Sequence, residues 1–171
     1  MKILSVVGEE IKKFAWYLIG KKSEVKDLNH KDVLLAKTIL DIHRKRIRSE
    51  FIFVPLFSLN PIHPINRESS LKTTAQRTEE LIKHKSELIK EKNISREFLA
   101  AYMPSISWIK AVKEDDDSYI TYEGNGRLAA MHQVFEPEDN MSVEIEVYHF
   151  KNNEKIIRRM NRVRRVNGLI P

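Results

Sequence analysis

The chain of 171 residues contains no cysteine. Without thiols it can form no disulfide scaffold, no thiolate zinc site, no iron–sulfur cluster and no cysteine nucleophile. Charged residues between Glu9 and Lys13 interrupt the apolar N-terminal stretch. No apolar run therefore reaches the roughly 20 residues that a membrane-spanning helix needs. The chain also lacks the clean apolar run and small-residue cleavage site of a secretory signal, so we expect a cytoplasmic protein without a membrane span.

Basic residues exceed acidic residues only at the C-terminus. The chain holds 30 Lys and Arg against 24 Asp and Glu, a net charge of +6. Residues 151–171 hold seven bases and one acid, so this segment by itself carries +6, and the other 150 residues hold 23 bases and 23 acids. The net charge therefore says little about the body of the protein. Its hydrophobic content of 42% is enough to form a buried core.

Hydrophobic periodicity predicts an α+β fold in which helices pack on a small mixed sheet. Pro55 limits the first strand to a sheet edge or ends it early. Three prolines between residues 55 and 64 exclude regular structure over 60–64. Ser95 is expected to cap a helix. The predicted helices cover residues 6–20, 31–49, 69–100 (one helix or a pair), 127–135 and the segment from 151 onward, and the predicted strands cover 51–57, 106–112, 119–122 and 141–150.

These elements divide the chain into three segments. Residues 1–50 form an N-terminal helical extension, residues 51–150 form the α+β domain, and residues 151–171 form a basic terminal helix. The apolar residues of the first predicted helix fit packing on the body, or binding to a partner or a membrane surface.

Glycine is scarce, and two of the five glycines flank a single residue between a predicted strand and a predicted helix. Gly124 and Gly126 surround Asn125 there. The first N–H groups of a helix and the positive end of its dipole favour a phosphate. Arg127 adds a planar cation that can bind two phosphate oxygens, and the Glu123 carboxylate could hold Mg²⁺ or act as a base. A tight turn with glycines at positive φ and Arg127 in a salt bridge explains the same residues equally well.

The wider sequence around this turn resembles the ParB/sulfiredoxin superfamily. Residues 119–130, Tyr-Ile-Thr-Tyr-Glu-Gly-Asn-Gly-Arg-Leu-Ala-Ala, are similar to its phosphate-binding motif, in which a strand ends in an acidic residue and Gly-x-x-Arg opens a helix. Residues 53–64, Phe-Val-Pro-Leu-Phe-Ser-Leu-Asn-Pro-Ile-His-Pro, resemble its first strand and its Asn-Pro-x-x-Pro segment. The order of the other elements agrees over residues 51–150. The first 50 residues and the basic tail lie outside the resemblance.

The resemblance implies a small α+β domain that binds a nucleotide or another phosphorylated ligand, with Mg²⁺ where the ligand is a nucleoside triphosphate. The segment from Gly124 to Arg127 would cradle the phosphate, and Asn60 and His63 would lie beside it. In an enzyme of this kind, Glu123 and Arg127 would be the catalytic residues, and Glu123 would also be the metal ligand.

Departures from the family motifs narrow the activities that the resemblance implies. A sulfiredoxin needs a cysteine within the motif, so that activity is excluded. Partition proteins of the superfamily carry more arginines in the motif and a helix-turn-helix domain after it, and about 20 residues after the last predicted strand are too few for one. Phosphoryl transfer and phosphodiester cleavage remain. Glu123 replaces the aspartate usual in that branch and the histidines of the branch are missing, so the sequence leaves open whether the protein is an enzyme.

Glu-Gly-Asn-Gly-Arg at residues 123–127 is also the core of the Fic adenylyltransferase signature. That signature requires a histidine where Tyr119 stands, a phenylalanine where Thr121 stands and an arginine where Ala130 stands. Fic domains are also all-helical, whereas residues 105–122 predict a hairpin. A degenerate Fic-like protein is therefore the weaker alternative.

The pattern of the terminal segment predicts an amphipathic helix. Asn152 or Asn153 can cap its start, and Gly168 can end it. Its basic face could meet nucleic acid phosphates or an acidic protein, or could simply be solvated. This face supports the alternative function, a non-enzymatic DNA-associated or regulatory module. The basic face holds Arg158, Arg159, Arg162 and Arg165, and the apolar face holds Ile156, Met160 and Val163.

Overall fold

A computed structural model describes residues 30–171 of the chain. The chain divides into two compact units, Met1–Leu34 and Leu35–Pro171. The elements described below belong to the second unit, except for the first residues of a helix that begins at His30. The helix predicted over residues 6–20 lies outside the described residues. Over the described part of the chain, no helix is both long enough and apolar enough to cross a membrane.

The described residues form an α+β domain with one mixed sheet of six strands, which confirms the predicted fold class. In chain order the elements are α1 (His30–Lys45), β1 (Arg46–Pro55), a 3₁₀ turn (Leu56–Ser58), β2 (Leu59–Pro61), α2 (Glu68–Glu91), β3 (Asn93–Ile94), α3 (Arg96–Tyr102), β4 (Lys110–Lys113), β5 (Tyr119–Glu123), α4 (Asn125–Val134), a second 3₁₀ turn (Pro137–Asp139), β6 (Ser142–Phe150) and α5 (Asn153–Val166).

Strand β6 pairs with more strands of the sheet than any other described strand. It pairs antiparallel with β1 on one side, and parallel with β3 and β4 on the other. Strand β5 then pairs antiparallel with β4 and parallel with β2, so that β1 and β2 form the two edges. Val143, Ile145 and Val147 of β6 are buried at alternate positions, as expected for a strand that covers a core.

Helices cover both faces of the sheet. On one face, α2 and α4 pack against each other, and Leu81 and Leu128 join the core that contains Ile145. Helix α5 lies against β6. The residues of its predicted apolar face, Ile156, Met160 and Val163, are buried outside that core. The terminal helix is therefore part of the domain, and the compact unit has no boundary at residue 50 or at residue 151.

Local capping signals in the sequence correctly predicted three helix ends. Residues 69–100 contain a pair of helices, and Ser95 Oγ accepts a hydrogen bond from Phe98 N (3.2 Å) at the start of the second. Asn152 Oδ1 caps α5 by accepting from Lys155 N (2.9 Å). Gly168, with φ 72°, follows the end of α5.

The predicted boundary between the first described helix and strand is wrong. Helix α1 ends at Lys45, and Arg46–Pro55 form the strand, whereas a helix over 31–49 and a strand over 51–57 were expected. Residues from Arg46 onward pair with the C-terminal half of β6, about 100 positions later in the chain. Long-range pairing therefore overrides the local helical pattern. Strand β1 does lie at a sheet edge and does end at Pro55, as the proline predicted.

Residues 59–61 form a strand where the prolines predicted irregular structure over 60–64. Ile62 N donates to Thr121 O of β5 (2.9 Å). Because successive backbone groups of a strand point to opposite sides, the nitrogen of Pro61 faces the open edge, where no donor is needed.

The strand predicted over 106–112 begins only at Lys110. Ile106 is fully exposed, and the carbonyl of Ser107 accepts a hydrogen bond from Arg127 Nη2 instead of joining the sheet. Ile109 is buried in the core. The segment before β4 is therefore shaped by a side chain of α4.

Ile106 and Ile109 provide a test of where this strand begins. We expect Ile109→Ala to lower the free energy of unfolding by about 2–5 kcal/mol, because it leaves a cavity in the core. Ile106→Ala is expected to change it by less than about 0.5 kcal/mol, because the side chain contacts solvent. Urea unfolding of both variants measures the difference. Similar losses would show that Ile106 is packed as a strand residue.

Candidate functional site

A cleft of about 330 Å³ opens where β5 passes into α4. Helix α2 forms one wall, and the turn between β5 and α4 forms another. The loops that follow β2 and α3 complete it. The lining residues are Ser69, Ser70, Thr73 and Arg77 of α2, Tyr122, Glu123, Gly124, Asn125, Gly126 and Arg127 of the turn, His63 and Ile65 after β2, and Ser105 after α3.

The turn requires glycine at position 124. Gly124 has φ 86°, and a Cβ there would lie 2.9 Å from Ile109 Cγ1 and 3.1 Å from Ile109 Cα. Its carbonyl accepts from Arg127 N and Leu128 N, both at 3.0 Å, which starts the helix. The Arg127 amide, predicted to face a phosphate, is thus engaged in the first turn. The amides of Asn125 and Gly126 have no carbonyl one turn earlier in the helix and are the donors at its positive end.

Arg127 is the most unusual residue of the cleft, because it is a cation only 1% exposed. Its Nη2 donates to Ser107 O (2.5 Å), and its Nε has no hydrogen-bond partner. Burial first, and then the neighbouring Arg77, lower the pKa of the guanidinium to about 10, while Glu123 acts in the opposite direction. Keeping Arg127 charged in this place costs on the order of 3 kcal/mol. Within residues 30–171 Arg127 forms no salt bridge. The alternative explanation of the turn is therefore correct in placing a glycine, Gly124, at positive φ and wrong in placing Arg127 in a salt bridge.

Arg77, which the sequence did not single out, lies beside Arg127. Its Nη2 donates to Pro104 O (3.3 Å), and its Nη1 lies 3.0 Å from where a Cβ at Gly126 would be. The missing side chain of Gly126 therefore lets the guanidinium approach the first turn of α4. Burial lowers the pKa of Arg77 as well. Two arginines and a positive helix end meet one carboxylate, Glu123, and this excess of positive charge favours an anion.

Buried polar atoms without partners gather at the same turn. Thr74 and Asn125 are 3% and 6% exposed, and Thr74 Oγ1, Asn125 Oδ1 and Arg127 Nε make no hydrogen bond within the described residues. Each such atom costs about 1–3 kcal/mol when it is left unpaired. Unpaired buried groups at one place call for a partner such as a water molecule, an ion or a ligand.

The structure brings His63 to the cleft but not Asn60. His63 Nδ1 donates to Pro64 O (2.9 Å), which leaves Nε2 as the second polar atom of the ring. Asn60 lies in β2, and its Nδ2 donates to Ser58 O (3.4 Å). Asn60 is therefore not among the residues that line the cleft, because its side chain faces the preceding turn.

Glu123 was also predicted to hold Mg²⁺. In the part of the chain that the structure describes, no group of three His, Asp or Glu side chains could hold a metal ion. Mg²⁺ is usually bound by one or two carboxylates together with substrate phosphates and water. Glu123 fits that role as a single ligand, with phosphate oxygens of a bound ligand as the others.

The terminal helix exposes three of its four predicted arginines. Arg158, Arg162 and Arg165 are exposed, and Arg165 Nε also donates to Pro171 O (3.0 Å). Arg159 instead forms an ion pair with Asp41 of α1 and so joins two helices. It is tied into the fold and is less available to a nucleic acid.

Two glycines at positive φ test how tightly the turn is packed. Alanine costs about 1–2 kcal/mol at either position, because its side chain disfavours that conformation. Gly168 has no atom within 4 Å of a would-be Cβ, whereas Gly124 meets Ile109. We therefore expect Gly124→Ala to lower the free energy of unfolding by about 1–3 kcal/mol more than Gly168→Ala does. Equal losses in urea unfolding would contradict the close contact.

We compared the chain with known protein families, characterised proteins and solved structures. No protein-family model matches the chain, and neither does any characterised protein or solved structure.

Proposed function

We propose that the cleft binds the phosphate group of a nucleotide or of another phosphorylated small molecule. The observation that carries this proposal is the buried Arg127, which lies beside Arg77 at the first turn of α4 with no salt-bridge partner among the described residues. A phosphate in the cleft would neutralise both arginines and the helix end.

Each part of the turn has a role in this proposal. The amides of Asn125 and Gly126 donate to phosphate oxygens, as helix N-termini commonly do. Arg77 is the more exposed of the two arginines and offers a planar guanidinium. Arg127 is buried and adds a second positive charge to the site. Its hydrogen bond to Ser107 O also fixes the segment before β4 against the first turn of α4.

We extend the proposal to membership of the ParB/sulfiredoxin superfamily over residues 51–150. Three features support it: a strand that ends at Glu123, a helix that Gly-x-x-Arg opens, and an α+β sheet that joins the two. The Fic alternative loses ground, because Tyr119 and Thr121 lie in a strand and not in a helix.

If the site is catalytic, phosphoryl transfer and phosphodiester cleavage are the reactions that its residues fit best. Glu123 lines the cleft next to the turn, where it could accept a proton or help to hold Mg²⁺. A bound Mg²⁺ would neutralise phosphate charge. The arginines would stabilise the charge that develops on the transferred group.

Thermal unfolding tests the phosphate site. Wild type is expected to melt at a higher temperature with at least one of ATP, CTP, GTP, their diphosphates or inorganic phosphate. Ligand at 100 times its Kd stabilises the folded state by about 2.7 kcal/mol. Arg77→Gln should lose this shift. Arg162→Gln, which removes the same charge from α5, should keep it. No shift in wild type with any ligand would refute the proposal.

The variant Glu123→Gln distinguishes the role of the carboxylate from that of the groups that bind the phosphate. Without Mg²⁺ this variant is expected to keep or strengthen ligand binding, because a negative charge leaves the cleft. Any additional stabilisation that Mg²⁺ gives wild type should be absent in the variant. If wild type turns the ligand over, Glu123→Gln should still bind the ligand but should no longer turn it over.

The second candidate function is DNA binding through α5. The observation that favours it is the exposure of Arg158, Arg162 and Arg165 on a helix whose opposite side is anchored in the domain. Such arginines would contact phosphates and carry no sequence information.

Charge-removing substitutions test this candidate better than deletion, because α5 buries an apolar face. We expect the triple variant Arg158→Gln, Arg162→Gln, Arg165→Gln to bind duplex DNA more weakly in fluorescence anisotropy. The slope of log K against log salt should fall by about 3, since each lost phosphate contact contributes roughly 0.9. The matched control replaces Lys72, Lys83 and Lys90, which are exposed on α2, by glutamine. Unchanged slopes in the arginine variant would rule this function out.

A further inference from the structure

One face of α2 carries hydroxyl groups in a row that leads away from Arg77. Ser70, Thr73 and Arg77 follow one another at spacings of three and four residues, so they share a face of the helix, and all three line the cleft. At 1.5 Å per residue, Ser70 is about 10 Å from Arg77 along the helix axis. The cleft is therefore a trough with its cationic end at Arg77 and a hydroxyl end at Ser70.

The other walls of this trough are polar as well. Ser105 offers a further hydroxyl, Glu123 a carboxylate and His63 its free ring nitrogen. The Glu123 carboxylate accepts no hydrogen bond from any residue within 30–171. Carboxylate, hydroxyl and imidazole groups are suited to a ligand that carries several hydroxyls of its own, and an acidic side chain is a common partner of sugar hydroxyls.

In the part of the chain that the structure describes, the trough has no exposed Phe, Tyr or Trp ring on which an aromatic base could stack. Among its described lining residues, Tyr122 is the only Phe, Tyr or Trp. Tyr122 is only 2% exposed, and its ring makes edge contacts with His43 (6.0 Å between ring centroids) and Tyr148 (5.7 Å), so it is not available for stacking. Among the same described residues, Ile65 is the one larger apolar side chain. Proteins that bind bases usually stack them on aromatic rings, those of His included, or on the guanidinium planes of Arg. Outside the buried Arg127, the described lining offers only His63 and Arg77 for this, and each is held by a backbone carbonyl, that of Pro64 and that of Pro104.

We infer that the ligand of the cleft is a phosphate ester of a small polyhydroxylated molecule, that is, a sugar phosphate. Its phosphate lies at Arg77 and Gly126, and its hydroxyls lie along Ser70 and Thr73, in the cleft that Glu123 also lines. Thr73 Oγ1 donates to Ser69 O (2.9 Å), so it would accept a hydrogen bond from the ligand. A base attached to the sugar adds nothing to binding. This inference rests on the phosphate site proposed above and specifies the rest of the ligand.

Calorimetric titration of the full chain tests the inference with inorganic phosphate, ribose 5-phosphate, glucose 6-phosphate and AMP. We expect at least one sugar phosphate to bind about 10-fold or more tightly than inorganic phosphate. AMP should bind no more than about 3-fold tighter than ribose 5-phosphate.

The double variant Ser70→Ala, Thr73→Val should bind that sugar phosphate about 5- to 50-fold more weakly, because two hydrogen bonds to the ligand are lost. Its affinity for inorganic phosphate should not change. Ser86→Ala, an exposed position of α2 outside the cleft, is the matched control and should behave as wild type.

Failure of this inference can be distinguished from failure of the phosphate site. If AMP binds more than about 3-fold tighter than ribose 5-phosphate, or if the double variant loses no sugar phosphate affinity, the sugar inference is overturned and the phosphate site stands. The sugar inference also fails if inorganic phosphate binds as tightly as both sugar phosphates. If none of the four compounds binds, both proposals fail.

Discussion

The hydrogen bond from buried Arg127 to the carbonyl of Ser107 is the interaction on which the cleft depends. It draws the segment before β4 out of the sheet and against the first turn of α4. Gly124 makes the approach possible, because a side chain there would strike Ile109. The strand, the turn, the helix and one wall of the cleft are therefore fixed together by a single guanidinium.

This arrangement is costly for the free protein. A domain of this size is typically stable by about 5–15 kcal/mol, and the charge on Arg127 opposes folding by an appreciable fraction of that. Arg77 adds a second positive charge beside it, and Thr74 and Asn125 add unpaired polar atoms. Proteins tolerate such local conflicts mainly where a site needs them. A bound phosphate would relieve the electrostatic part of the conflict, which is why ligand binding and thermal stability should be strongly linked.

The scaffold separates the two surfaces that could carry function. The cleft belongs to α2, α4 and the end of β5, which pack on the core face of the sheet. The exposed arginines belong to α5, which buries Ile156, Met160 and Val163 outside that core. Substitutions on α5 should therefore leave the cleft intact, and substitutions in the cleft should leave α5 intact. Arg159 is the exception on α5, because its ion pair with Asp41 contributes to the fold.

The sequence by itself determined the features that short-range physics controls: the α+β class, the cap at Ser95, the apolar face of α5 and the turn from Glu123 to Arg127. Each of these depends on residues within a turn or two of one another. The tertiary structure decided that Arg46–Glu50 form a strand, that Asn60 faces away from the cleft and that Arg127 is buried without a carboxylate. It also brought Arg77 to the turn from a helix 50 positions earlier. A local pattern shows which face of an element is apolar, but it does not show which distant segments pair or which polar groups are buried together, because the packing of the whole sheet decides that.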